Sequence, residues 1–356
     1  MSHLKVGWGF TWLCNMGCKI CYSKTAREER KQLPLEIAES FVSKNKDAIE
    51  NVNFGTGENT LLPEWYDLVE WCGYLGIKQG VTTNGYLAEF CRNNRSAHDT
   101  ITKWINDVDV SIDFANPSAH NKSRNHPRAY EWAIETLEYC HEYSIEKTIT
   151  VCLFSENSNK ENLANLFQLA EKHESNIRLN IYRPLRDHSL VVSPHRLYEV
   201  LRHILEKHQL IRASDCLFSS LLGINHAQGD SAGLRSCRIL PDGWITPSTY
   251  LIEPQWRAVN IIECPSLQDV VSADSFQRLI NAPIPERCES CPHLDICQGG
   301  AKDRRVLWYN SLEQHDPYCP YRYADCNPLE DVELSITKQD RYFVHDDYLP
   351  TLIFCP

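Results

Sequence analysis

Residues 4–22 have the sequence LKVGWGFTWLCNMGCKICY, a short apolar segment followed at once by three cysteines. The segment Leu4–Phe10 predicts a β-strand. Cys14, Cys18 and Cys21 form a Cys-x3-Cys-x2-Cys run directly behind it. A structural zinc site takes four tetrahedral ligands, so three clustered thiolates leave one ligand missing. In a cubane iron–sulfur cluster the same deficit is useful, because it leaves one iron open to a substrate or cofactor.

Cysteine is unusually frequent along the whole chain, which has 356 residues with sixteen cysteines and only two methionines. The sequence shows no apolar leader and no apolar run of the roughly 20 residues that span a bilayer. We therefore expect a cytoplasmic protein without membrane contact, in which thiols stay reduced and serve metal or redox chemistry. A net charge of −11 counts against nucleic acid as a partner.

The first half of the chain alternates apolar strand patterns with amphipathic helix patterns, which predicts a parallel sheet with helical crossovers. Six such units are too few for a complete eight-unit barrel, so the fold class expected is α/β with a partial (β/α)6 barrel. The predicted strands are Leu4–Phe10, Glu50–Phe54, Ile77–Thr82, Asp107–Ile112, Lys147–Leu153 and Asn176–Tyr182. The predicted helices are Pro34–Asn45, Pro63–Tyr74, Asn94–Ile105, Arg128–Tyr143 and Lys160–His173.

The second half has a different pattern. A further helix is predicted over Arg196–His208, and the chain from Ala213 to Cys326 is rich in turns and cysteines. Such a segment has little regular structure, and a bound metal or cluster would supply the missing cross-link. We expect a barrel over 1–190, a bridging helix and linker over 191–235, a loop-rich iron–sulfur domain over 236–328 and a tail over 329–356. The tail gives no signal beyond its apolar end.

The cysteine run, with apolar Ile20 before its last cysteine and Tyr22 after it, resembles the signature of radical S-adenosylmethionine (SAM) enzymes. The resemblance implies a [4Fe–4S] cluster on Cys14, Cys18 and Cys21 whose open iron is chelated by SAM. It also implies that reduction of the cluster cleaves SAM to a 5′-deoxyadenosyl radical, which takes hydrogen from a carbon of the substrate. No ordinary side chain can abstract hydrogen from an unactivated carbon, so a cofactor carries that step.

Further motifs follow successive predicted strands and resemble the same family. Gly55-Thr56-Gly57-Glu58 is similar to its Gly-Gly-Glu segment, with Thr56 in place of the first glycine. By that resemblance Thr56 and Gly57 offer backbone to SAM, while Glu58 accepts from the methionyl ammonium group. Ser111 matches the serine that contacts the ribose, and Arg124 matches the arginine that reaches the SAM carboxylate or ribose. The segment 82–85 is also similar, and we expect it to shape the loop at the mouth of the barrel.

A second cysteine group lies near the end of the loop-rich segment. Cys288, Cys291, Cys297 and Cys319 suffice for one closed site, either zinc or an iron–sulfur cluster. Beside a radical SAM core their spacing resembles the SPASM/Twitch-type extension, which implies an auxiliary [4Fe–4S] cluster. Cys237-Arg-Ile-Leu-Pro-Asp-Gly243 resembles the start of that extension.

Two positions depart from the SPASM pattern. Ser248 and Ala301 stand where it has cysteines, and in the family both of those cysteines ligate the auxiliary cluster nearer to SAM. We therefore expect two [4Fe–4S] clusters and not three. Cys237, with Cys216 as a weaker candidate, is then left near the substrate without a cluster. It either fills space or donates a hydrogen atom to a substrate radical. The roles of Cys264, Cys326 and Cys355 are open, whereas Cys72, Cys91, Cys140 and Cys152 are expected to pack in the core.

The resemblance makes the protein a radical SAM oxidoreductase or maturase. It suggests a ribosomally synthesised peptide as substrate, for oxidation, crosslinking or epimerisation, and an external flavodoxin- or ferredoxin-type electron donor. The predicted barrel starts within the first residues and leaves no separate N-terminal domain for peptide recognition. This keeps open an alternative, the dehydrogenation or epimerisation of a sugar, aminocyclitol or nucleoside in natural-product biosynthesis. A third interpretation is a zinc-stabilised binding protein without activity.

Overall fold

One mixed sheet organises the protein. The computed structural model describes residues 3–23, 32–185, 187–224, 229–264, 266–324, 326–337, 344 and 349–356. The strands are β1 (Leu4–Trp8), β2 (Ile49–Phe54), β3 (Lys78–Thr83), β4 (Asp107–Ser111), β5 (Glu146–Leu153), β6 (Asn176–Ile181), β7 (Gln209–Ala213), β8 (Ser236–Ile239), β9 (Ile245–Thr246) and β10 (Leu352–Cys355). Their order across the sheet is β7-β10-β6-β5-β4-β3-β2-β1-β8-β9.

The centre of the sheet is a parallel array from β1 to β6 in chain order. Apolar residues such as Val52, Val81 and Ile149 are fully buried along these strands. Burial on both faces is what βαβ crossovers produce, because the connecting helices cover the sheet. The predicted α/β partial barrel is confirmed, and each of its six predicted strands overlaps an observed one.

Helices connect the strands and bury their apolar stripes on the sheet. They are α1 (Leu35–Asn45), α2 (Pro63–Tyr74), α3 (Tyr86–Asn93), α4 (Arg95–Trp104), α5 (Pro117–Arg124), α6 (Ala129–Glu142), α7 (Lys160–Lys172), α8 (Pro194–Leu205), α9 (Cys216–Leu221), α10 (Asp274–Ile280), α11 (Leu294–Cys297) and α12 (Lys302–Tyr309). Asn116 caps α5 by accepting from the Ala119 amide at 2.9 Å. This cap fixes where α5 begins and so where its last residue, Arg124, lies.

Segments beyond residue 190 contribute to the same sheet. β8 pairs in parallel with β1, and β10 lies antiparallel between β6 and β7. No strand is predicted for the tail, yet β10 places its end inside the sheet. The division into four segments stays a proposal about chain organisation, and the hydrogen-bonded sheet crosses its boundaries.

Within the described residues, no helix combines the length and apolar character that crossing a bilayer requires.

Candidate active site

The carboxyl ends of the parallel strands surround a cavity of about 920 Å³ that opens to solvent. The three cysteines of the first run line it together with Ile20, Tyr22, Thr56, Gly57, Ser111 and Arg124. Other lining residues are Ser23, Thr82, Thr83, Asn84, Asp113, Thr150, Cys152, Asn180, Tyr182, Arg183 and Tyr250. Side chains that are far apart in sequence thus meet at the end of the sheet where α/β barrels carry their chemistry.

Backbone hydrogen bonds hold the cysteine loop against the end of α5. The Gly17 amide donates to the Arg124 carbonyl at 3.2 Å, and the Lys19 amide donates to the Ser123 carbonyl at 3.0 Å. A Cβ at Gly17 would meet Asn125 Nδ2 at 2.9 Å, so glycine allows this approach without displacing the Asn125 side chain. These contacts join the cysteine loop to the end of α5.

Arg124 is the main cation beside these thiols. Its Nη2 lies 2.6 Å from Asp113 Oδ2, and its Nη1 lies 3.9 Å from Cys18 Sγ. Burial raises the pKa of Cys18, and the positive charge of Arg124 opposes that shift. Burial likewise raises the pKa of Asp113 against the opposing effect of Arg124. A guanidinium at this position favours a thiolate on Cys18.

The Gly-Thr-Gly segment forms the floor beside Tyr22. Gly57 has φ +61°, and a Cβ there would meet the Leu13 carbonyl oxygen at 2.4 Å. Thr56 has φ +84°, a strained conformation for a β-branched residue. Its hydroxyl lies 2.6 Å from the Tyr22 hydroxyl and also accepts from Arg238.

Glu58 lies behind this floor and is not among the residues that line the cavity. It is completely buried, and it accepts from the Thr60 hydroxyl at 2.7 Å, the Thr83 hydroxyl at 2.9 Å and the Asn84 amide at 2.7 Å. Burial raises its pKa, and these hydrogen bonds oppose the shift. Its carboxylate thus holds the loop after β3. The loop in turn places Asn84 Nδ2 at 3.7 Å from Cys14 Sγ.

The second cysteine group borders a smaller cavity of about 340 Å³, lined by all four of its thiols together with Leu217, Leu221 and Tyr321. His293 also lines it, but its Nδ1 lies 3.1 Å from Ser220 Oγ and its Nε2 lies 3.0 Å from the Tyr321 hydroxyl. Both ring nitrogens of His293 are thus engaged, and His315 and Asp316 line the cavity beside the four cysteines.

A tight turn after Cys297 brings the distant cysteine into place. Gln298, Gly299 and Gly300 all have positive φ, and a Cβ at Gly300 would meet the Asp316 side chain at 2.3 Å. The Asp316 amide donates to the Gly299 carbonyl at 2.9 Å, and the Cys319 amide donates to the Asp316 carbonyl at 3.0 Å. This turn brings Cys319 to the cavity that Cys288, Cys291 and Cys297 also line.

Comparison with known proteins decides the family. Residues 10–170 match the sequence model of the Radical SAM superfamily. This part of the chain belongs to the radical SAM superfamily. Mycofactocin maturase MftC of Mycolicibacterium smegmatis is 23% identical over 334 residues, which cover 88% of this chain and 81% of MftC. The matched segment includes Cys14, Cys18 and Cys21 together with Ser111 and Arg124.

Solved structures share the fold. SuiB of Streptococcus suis bound to precursor peptide SuiA superposes with a TM-score of 0.70 at 18% identity, covering 90% of this chain and 76% of SuiB. The enzyme anSMEcpe with bound AdoMet and Cp18Cys peptide gives a TM-score of 0.71 at 17% identity, covering 92% of this chain and 96% of anSMEcpe. The similarity extends well past the matched superfamily segment, into the part of the chain that carries the second cysteine group.

Like Glu58, Cys237 was predicted for this site and does not line the cavity. Cys237 lies on β8 beside Arg238, and successive strand residues point to opposite faces. Arg238 faces Thr56, whereas Cys237 is 1% exposed within the hydrophobic core. Cys216, at the start of α9, is also buried outside the cavity. The hypothesis that Cys237 donates hydrogen to a substrate radical stays a prediction, and its position in the core counts against it.

Other residues of this cavity were not identified from the sequence. Cys152, expected to be core packing, lines the cavity at the end of β5, where burial raises its pKa. Arg183 and Tyr250 line it from the segments after β6 and β9. None of the three stands in a short motif, and their chemistry appears only when the strands are assembled.

Proposed function

We propose that this radical SAM enzyme carries two [4Fe–4S] clusters and modifies a ribosomally made peptide in the cytoplasm. The observation that carries the proposal is the convergence of Cys14, Cys18 and Cys21 with Ser111 and Arg124 on one cavity. Three cysteine side chains on one loop and a neighbouring guanidinium fit a cluster with one open iron. When bound, the cluster and SAM would supply the radical that takes hydrogen from substrate carbon.

The protein groups around this cavity have distinct roles in the proposal. Cys14, Cys18 and Cys21 hold the cluster, and Thr56 and Gly57 present backbone to SAM. Ser111 and Arg124 bind the polar groups of SAM, with Asp113 orienting Arg124 through the 2.6 Å contact. Ile20 packs in an apolar cluster with Tyr182 and Phe154. Glu58 acts indirectly, by holding the loop at Thr83 and Asn84.

The auxiliary cluster is assigned to Cys288, Cys291, Cys297 and Cys319. Zinc would need its thiolate sulfurs about 3.8 Å apart, given Zn–S bonds of about 2.3 Å in a tetrahedron. A cubane binds each thiolate to a different iron and so accepts wider spacing. Among the residues that the structure describes, no three His, Cys, Asp or Glu side chains are grouped to hold a single metal ion. The choice of a cluster over zinc rests on the cysteine spacing, which resembles that of the SPASM/Twitch-type extension.

The proposal that the substrate is a peptide rests on proteins similar to this chain. MftC is named as a maturase, and the solved SuiB and anSMEcpe structures hold peptides. A flavodoxin- or ferredoxin-type protein would deliver the reducing electron.

Anaerobic reconstitution with iron and sulfide tests the cluster assignment. We expect about eight irons per chain, and about four when Cys14, Cys18 and Cys21 are all replaced by alanine. About twelve irons would indicate a third cluster, and zinc without iron would refute the radical SAM assignment of function.

A further inference from the structure

Arg183 presents a buried guanidinium to the radical SAM cavity. It is the second residue after β6, is 3% exposed and lines the cavity with Tyr182 and Tyr250. Its Cζ lies 5.4 Å from the centroid of the Tyr250 ring, and the Tyr22 and Tyr250 rings meet edge to face at 5.5 Å. This wall of the cavity therefore combines one cation with aromatic surface.

A buried acid fixes the orientation of Arg183. Its Nε donates to Asp303 Oδ1 at 3.2 Å, and its Nη1 donates to the Ile181 carbonyl at 2.8 Å. Asp303 is itself held, because its Oδ2 accepts from the Ser248 hydroxyl at 3.2 Å. Ser248 is one of the two positions where the cysteine pattern of the extension is interrupted. A polar support for Arg183 occupies that position here.

Arg183 has unused capacity for an anion. The next residue after Asp303 is Arg304, whose guanidinium binds two carboxylates, Asp215 at 2.8 Å and Asp316 at 2.5 Å. Arg183 binds one carboxylate, Asp303, within the described part of the chain, and its recorded hydrogen bonds use Nε and Nη1. A guanidinium carries five N–H donors in a fork that matches carboxylates and phosphates, and of these two an unmodified peptide offers the carboxylate.

We propose that Arg183 binds a carboxylate of the substrate, with Asp303 and Ser248 as its positioning residues. The inference rests on the proposed peptide-modifying function and narrows it to peptides with an acidic group near the reacting carbon. That group is either the C-terminal carboxylate or an Asp or Glu side chain. Tyr22, Tyr182 and Tyr250 offer apolar surface to the residue beside it.

Direct binding tests this without knowledge of the natural peptide. The reconstituted enzyme with SAM is titrated calorimetrically, under anaerobic conditions, with N-acetyl-Ala-Phe as free acid, with its C-terminal amide, and with N-acetyl-Glu-Phe-amide. We expect at least one acidic probe to bind about tenfold more tightly than the neutral amide, because hydrogen bonds to charged groups are the stronger ones. Whichever acid is preferred identifies the source of the carboxylate.

Variants connect that preference to Arg183. Arg183→Met is expected to abolish it, and Ser248→Ala, which leaves the guanidinium in place, to reduce it about threefold. Arg202→Met, which removes a surface arginine outside the cavity, is the matched control and should change nothing. If Arg183→Met does not fold, the preference for acidic probes is compared between the wild type, Arg183→Lys and Ser248→Ala.

Equal binding of acidic and neutral probes, or no binding of any of them, would overturn the proposal. The proposal would also be overturned if both Arg183→Met and Ser248→Ala still bound the acidic probe more tightly than the neutral amide. Formation of 5′-deoxyadenosine is measured on the same samples. Its presence without a carboxylate preference refutes only the role of Arg183, whereas its absence in the wild type refutes the radical SAM function itself.

Discussion

Arg124 and Asp113 form an ion pair in the wall of the radical SAM cavity, with Nη2 and Oδ2 2.6 Å apart. Asp113 is completely buried, and its Oδ1 accepts from the Cys152 amide at 3.0 Å. The pair thus joins the end of α5, the loop after β4 and the end of β5, and it also brings positive charge to Cys18.

Removing the cation should destabilise the protein. Arg124→Gln leaves the Asp113 carboxyl buried without its partner, a change that typically costs about 3 kcal/mol or more. Arg124→Lys keeps the charge and should lose less. Urea unfolding of both variants measures the difference. Stability of Arg124→Gln equal to that of the wild type would contradict the importance of the pair.

Thr56 allows a test of backbone strain. Thr56→Gly and Thr56→Ala both remove the hydroxyl that contacts Tyr22, but only glycine tolerates φ +84° without strain. The glycine variant should be more stable than the alanine variant by about 1 kcal/mol. The comparison of urea midpoints checks this, and a more stable alanine variant would argue against the positive φ.

His120 should make stability depend on pH. Its Nδ1 accepts from the Asp113 amide at 3.2 Å, and burial lowers its pKa well below 6.5. Below pH 6.5 His120 binds a proton in the unfolded chain but stays neutral in the folded protein. The free energy of unfolding therefore falls as the pH falls. The slope from this group is at most about 1.4 kcal/mol per pH unit. His120→Asn keeps an acceptor but cannot titrate, so the difference between the two proteins in urea titrations at pH 5 to 8 isolates the effect. If the stabilities of the wild type and His120→Asn changed with pH in the same way, this effect of His120 would be excluded.

Cys237 should matter for packing and not for chemistry. Cys237→Ala removes a buried sulfur beside Cys264 and is expected to cost about 1 kcal/mol of stability. Formation of 5′-deoxyadenosine and deuterium incorporation into product should be unchanged. Loss of deuterium incorporation with normal folding would restore the hydrogen-donor hypothesis.

Much of the barrel was predictable because its strands are apolar runs separated by amphipathic helices. β8 and β10 were not predicted, since each has only four residues and owes its position to partners far away in the sequence. The cysteines, Ser111 and Arg124 stand in short motifs that resemble a known family. Arg183 was missed because its partner Asp303 is 120 residues away, and only the folded chain brings the two together.

The contacts of the Glu58 carboxylate could not be predicted from the sequence for a different reason. Its motif was recognisable, but which atoms its carboxylate contacts depends on the loop after β3. Thr83, the last residue of β3, and Asn84, the first residue of that loop, each donate a hydrogen bond to Glu58.

Cleavage of SAM is the most direct test of the central claim. The reconstituted enzyme is incubated anaerobically with SAM and dithionite, and 5′-deoxyadenosine is quantified by mass spectrometry. We expect product from the wild type and from Cys326→Ala, which changes an exposed thiol, none from Cys18→Ala, and retained product from Cys291→Ala. Absence of 5′-deoxyadenosine from an iron-loaded wild type, or its undiminished formation by Cys18→Ala, would contradict the account.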